Sequence, residues 1–124
     1  MANKNLDIKS VLTAVDPING ILTLNDTETQ TVVYNDAGVS SASISVATGS
    51  ASQLIANSVA KVTYVWIKNT DATNYVSLEN DAGNIWGRLL PGEFNIFSVA
   101  PSVGLEVQAN TAAVVVEYAL FQAP

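Results

Sequence analysis

The sequence predicts an all-β chain, an antiparallel β-sandwich of jelly-roll type with about eight to ten short strands. Three observations carry this. From Lys61 to Phe121, β-branched and aromatic runs alternate with polar residues; turn residues interrupt them at roughly 8 to 12 residue intervals; and no stretch shows the 3.6-residue apolar period of an amphipathic helix. A chain of 124 residues fits one domain, and 48% apolar composition with a mean hydropathy of +0.27 suffices for a core. The expected organisation is a single sandwich over residues 1–124, with residues 1–15 free to form an extended arm.

Leu6, Ile8, Leu12 and Ala14 share one parity and Asp7, Lys9 and Thr13 the other, which suits a strand with one buried face, interrupted by Ser10 and Val11. Asp16-Pro-Ile-Asn-Gly20 reads as a turn and Ile21 to Leu24 as the returning strand of a hairpin. Asn25 to Thr29 reads as a polar loop, Gln30 to Tyr34 as the next strand, and Asn35-Asp-Ala-Gly38 as its end. Between Ser40 and Ser52 the residues are mostly small, yet Ala42, Ile44 and Val46 oppose Ser41, Ser43 and Ser45. This alternation predicts a strand that a neighbouring layer or subunit can approach closely. Gly49 to Ser52 is the weakest joint, and any boundary between an N-terminal arm and a compact C-terminal core falls there.

Lys61 to Lys68 is β-branched and aromatic on both faces, which predicts a central strand covered from both sides with Trp66 in the core. Asn69 to Asn74 turns the chain into a strand at Tyr75 to Leu78, and Asn80 to Asn84 turns it again into Ile85 to Leu90. Leu90-Pro-Gly-Glu93 matches a type II turn, whose third position needs positive φ. Phe94, Ile96 and Ser98 then oppose Asn95, Phe97 and Val99, Pro101 to Gly104 breaks the strand, and Leu105 to Ala109 and Ala113 to Phe121 complete the set. The last strand runs almost to the C-terminus, which is therefore expected to be held in the sheet.

Composition excludes several function classes. With no His and no Cys, Ser/His and Cys/His catalytic pairs are absent, as are thiolate chemistry and the preferred ligands of zinc. No cofactor is expected. Five Lys and Arg, scattered at Lys4, Lys9, Lys61, Lys68 and Arg88, cannot form a phosphate-neutralising surface, so no nucleic-acid partner is expected. The formal charge of -6 is spread evenly, with two lysines against five acids in residues 1–60 and three bases against six acids thereafter. No apolar run approaches the roughly 20 residues of a membrane span. MANKNLDIKS lacks a signal peptide's apolar run, which predicts that the chain stays where it is made. Charged residues make up only 13% of the chain, less than a small monomer's surface usually carries, which points to subunit contacts.

The remaining chemistry lies in carboxylates and aromatics. Asp71, Glu79 and Asp81 flank one expected strand and are weak candidates for a Ca²⁺ site or a paired-acid glycosidase site, but their spacing matches no motif and solvated turn residues explain them better. Trp86 and Tyr75 are candidates for stacking on sugar, against the simpler reading of core or interface residues. Arg88 is a candidate partner of Glu93 across the Pro-Gly turn or an intersubunit anchor. Trp86, Arg88, Ile44 and Val46 are the interface candidates.

The stretch IKNTDATNYVSLENDAGNIWGRLLPGEFNIFSVAPS, from Ile67 to Ser102, and the closing LEVQANTAAVVVEYALFQA, from Leu105 to Ala123, resemble small virion proteins of tailed phages. The shared phrases are the KNTDAT turn, the LLPGE turn and the VEYA strand, and they cover the C-terminal half of the chain. The resemblance implies a β-sandwich component of the particle: a capsid decoration or cement protein located on the capsid surface of the virion and assembled in the host cytoplasm. Its partners would be copies of itself, in a homo-oligomer such as a trimer, and the major capsid protein. Tail or fibre modules are similar, and a carbohydrate-binding sandwich is the alternative. The resemblance supplies no catalytic residue.

Overall fold

A computed structural model describes residues 3–15, 18 and 22–124. Among them are ten strands: β1 (Asn3–Val15), β2 (Leu22–Asn35), β3 (Val39–Val46), β4 (Ser52–Ile55), β5 (Thr63–Asn69), β6 (Val76–Glu79), β7 (Ile85–Leu89), β8 (Phe94–Val99), β9 (Leu105–Ala109) and β10 (Val114–Gln122). A single 3-10 turn, Asp36–Gly38, separates β2 from β3.

The last eight strands form two four-stranded sheets. The front sheet has the order β3-β10-β5-β8 and the back sheet β4-β9-β6-β7. Pairing is nested: β3 with β10, β4 with β9, β5 with β8 and β6 with β7 are all antiparallel. One long hairpin with its tip at β6–β7 has thus been rolled up and closed by β10–β5 and β9–β6. This is the jelly-roll plan that the turn spacing predicts.

Alternation places the core. In β5, Thr63, Val65, Ile67 and Asn69 are buried and Tyr64, Trp66 and Lys68 half-buried. The inward residues of the front sheet, Val46, Val65, Ile67, Val99, Val114, Val116 and Leu120, pack with Ile55, Val76, Leu78, Leu89, Leu105, Val107 and Ala109 of the back sheet. Removing this surface from water is the main stabilising term. At the Leu90–Glu93 turn, Gly92 has φ of 78° and Glu93 N donates to Leu90 O at 3.0 Å, as a type II turn requires.

Four local expectations change. Asn25–Thr29 is strand, not loop: Asn25, Asp26, Thr27, Glu28 and Thr29 pair with Thr13, Leu12, Val11, Ser10 and Lys9, and a ladder satisfies their backbone as well as water does. The arm is consequently the whole β1–β2 hairpin, not residues 1–15 alone, and the compact unit begins at Val39. Gly49 to Ser52 is the crossing from the front sheet to the back sheet. Trp66 is not in the core: its parity puts it on the outer face of the front sheet, half-buried. The Asp16–Gly20 turn lies, apart from residue 18, outside the described residues.

Candidate functional site

The arm determines the surface. Its β1 and β2 strands, of 13 and 14 residues, are longer than any strand of the sandwich. The root is tied down: Lys4 Nζ and Asp36 Oδ1 are 2.8 Å apart, and Tyr34 meets Phe121 edge-on with ring centroids 5.2 Å apart. The Asp36 carboxylate raises the Lys4 ammonium pKa through that bond. A cross-strand bond from Thr31 Oγ1 to Asp7 Oδ1 at 2.6 Å braces the hairpin.

Leu6 and Ile8 face Tyr64, Trp66, Ile96 and Phe121 of the front sheet across a crevice of about 280 Å³. Further along, a larger groove of about 630 Å³ opens between Ile8–Leu12 of the arm and Phe94–Ser98 of β8, with Tyr64 at its floor. Phe94 and Ile96, outward by the alternation of β8, stay exposed there. The groove has no local sequence signature: the alternation of β1 and β8 is legible in their residues, but nothing in either strand marks that the arm lies over the front sheet.

The acidic candidates separate. Asp71 belongs to the β5–β6 turn, where its Oδ2 accepts from Thr73 N at 2.9 Å and Asn74 N at 2.6 Å; these bonds favour the carboxylate and lower its pKa. Glu79 and Asp81 lie at the other end of β6. Glu79 is only 6% exposed and sits opposite Glu106 in the β6–β9 ladder, and Asp81 accepts from Gln53 Nε2 at 2.6 Å. Desolvation, with Asp81 and Glu79 close by, raises the Glu106 pKa. Glu106 was not a sequence candidate, because the β6–β9 register that sets it against Glu79 leaves no local mark. Among the described residues no group of three or more Asp and Glu has the geometry to hold a metal ion.

The aromatic and interface candidates also part. Trp86 stands at a register shift in the β6–β7 ladder, where Leu78 faces Gly87 and Glu79 faces Ile85. It is 51% exposed and meets Phe97 edge-on at 5.2 Å, closing the open side between β7 and β8. Arg88 lies 4.0 Å above the Tyr75 ring, a cation–π contact. The expected Arg88–Glu93 ion pair is absent: Glu93 Oε2 instead accepts from Leu90 N at 2.8 Å, within the turn. Val46 is fully buried and Ile44 packs against the core, so both face the chain's own back sheet rather than a partner. What approaches the small-residue segment is the neighbouring layer, as the bond from Ala109 N to Ala47 O at 3.0 Å shows.

Comparison with known proteins finds no matching family model, no matching curated protein and no matching solved structure.

Proposed function

We propose that the protein is a non-enzymatic structural component of a virus particle, a capsid decoration or cement protein that acts by packing against copies of itself and against the major capsid protein. The observation that carries this reading is the long hairpin arm held over an exposed apolar groove on a jelly-roll body. A surface of this kind is built for contact between chains. Jelly rolls serve viral capsid and lectin domains alike, so the fold is compatible with the reading without implying it. The resemblance of Ile67–Ser102 and Leu105–Ala123 to small virion proteins of tailed phages supplies the setting, and the net charge of -6 disfavours adhesion to packaged nucleic acid.

The test is imaging of intact particles labelled through this chain. Regular density on the capsid surface is the expected result; absence from purified particles overturns the reading, and label on the tail moves the chain to a tail or fibre module. A carbohydrate-binding reading draws on the exposed Trp86 ring. It predicts glycan-array binding that Trp86→Ala abolishes. Tyr75 is a weaker part of such a site, because Arg88 covers one of its faces.

A further inference from the structure

The groove between the arm and β8 has the character of a slot between two strand edges. Five consecutive residues of each strand line it, Ile8 to Leu12 and Phe94 to Ser98, whereas a groove facing a sheet would show alternate residues. Among the described residues both strands are edges: β1 pairs with β2 alone, and β8 with β5 alone. In an antiparallel strand a residue's N–H and C=O point to the same side. Ile96 N donates to its neighbour's side chain, Asn95 Oδ1, at 2.8 Å, so Ile96 directs its N–H away from β5. Phe94 and Ser98, two residues to either side, share that direction. The edge thus offers a row of backbone groups to the slot, with the central N–H held by Asn95. No Lys, Pro or bulge guards it, in contrast to most exposed edges.

We infer that the slot receives the arm of a second copy of this chain, one extended strand pairing along Phe94–Ser98 of β8, with Asn95 releasing the Ile96 N–H as the strand arrives. Three observations favour this occupant. A two-stranded hairpin is marginal in water unless its faces are covered, and Val11 and Leu12 of the arm are 61% and 54% exposed. Phe94 and Ile96 are 63% and 40% exposed, so these four residues offer on the order of 300 Å² of apolar surface per copy. Reciprocal exchange then buries about 600 Å², close to the apolar share of a small specific interface of about 1,200 Å². Charge agrees as well. Lys9 lines the slot and Lys68 lies opposite Phe94, neither with an ion-pair partner among the described residues, while β2 of the arm carries Asp26 and Glu28.

The inference deepens the self-association in the proposed function, but its test needs no particle. The chain has no Cys, so single cysteines report contacts without background. Full-length Leu12→Cys and Ile96→Cys proteins, mixed and oxidised, are expected to cross-link to each other, and native protein is expected to sediment as an oligomer. Ile96→Pro removes the central N–H of the outward row along Phe94–Ser98 and leaves the β5 ladder intact, so it should shift the protein at least tenfold toward monomer with an unchanged circular dichroism spectrum. A native protein that is monomeric at about 100 µM overturns the inference. So do an Ile96→Pro protein that folds and still assembles, and a Leu12→Cys/Ile96→Cys double variant that cross-links only within one chain. An oligomer with these properties that is missing from particles would refute the virion reading alone.

Discussion

The side-chain amide of Asn69 donates to the main-chain carbonyl of Leu89 at 3.1 Å and so ties the end of β5 in the front sheet to the end of β7 in the back sheet. The same amide donates to Asn74 O at 2.9 Å, and Asn69 Oδ1 accepts from Asp71 N at 2.8 Å. Its backbone bonds Glu93 O and Gly92 N, so the KNTDAT and LLPGE turns meet on one fully buried residue. A buried amide with every group paired is costly to truncate, because its partners lose their bonds without gaining water. Asn69→Ala is expected to lose about 3 kcal/mol of unfolding free energy and about 10 °C in Tm, measured by urea and thermal denaturation.

Glu106 and Asp71 should move stability with pH in opposite directions. The Glu106 pKa is raised in the folded state, so the native protein keeps that proton to higher pH than the unfolded chain. The stabilisation is complete below the ordinary value of 4.5 and is lost as pH rises through the native pKa. Asp71 is lowered, so its contribution is present above the ordinary 3.8 and lost as pH falls through its native pKa. Glu106→Gln should abolish the first dependence and raise stability near pH 7 by about 0.5 kcal/mol, since like charges directly opposite in a ladder repel. Asp71→Asn should abolish the acid-side loss. Urea titrations at successive pH values separate the two.

Much of this fold was legible because alternation and turn chemistry are local. Leu90-Pro-Gly-Glu93 needs only its own residues to specify a turn, and Ser41 to Val46 shows the alternation of β3 without reference to any partner strand. What stayed hidden depends on pairing between distant segments. Ile44 and Val46 look like interface residues until β3 is known to lie beside β10 over the back sheet. Trp66 looks like core until the register shows that Thr63, Val65 and Ile67 share the inward side. Glu106 joins Glu79 and Asp81 only through the β6–β9 ladder, and the groove exists only because a hairpin from residues 3–35 lies over strands from the other half of the chain.

Trp86 and Phe97 should differ in what they contribute, although they touch each other. Trp86 is half exposed, so Trp86→Ala loses mainly the edge-on ring contact, about 1 kcal/mol. Phe97 is partly buried and packs against the core, so Phe97→Ala leaves a cavity and is expected to lose about 3 kcal/mol. Equal losses in chemical denaturation would mean that the two rings form one buried unit and that the surface assignment of Trp86 is wrong.

Gly92 and Gly104 share a backbone conformation and differ in their surroundings. Their φ values are 78° and 79°, so an alanine at either position carries the left-handed strain of about 1 to 2 kcal/mol. Around Gly92 a Cβ would meet nothing within 4 Å; at Gly104 it would lie 2.8 Å from Asp81 Cβ and 3.0 Å from Ile55 O. Neither neighbour yields freely, because Ile55 is in β4 and Asp81 is held by Gln53. Gly104→Ala should therefore cost about 2 kcal/mol more than Gly92→Ala through the clash. It should also disturb the acidic row, since the atom displaced belongs to Asp81. The pH dependence assigned to Glu106 should weaken in Gly104→Ala and persist in Gly92→Ala, an outcome that backbone strain alone does not produce.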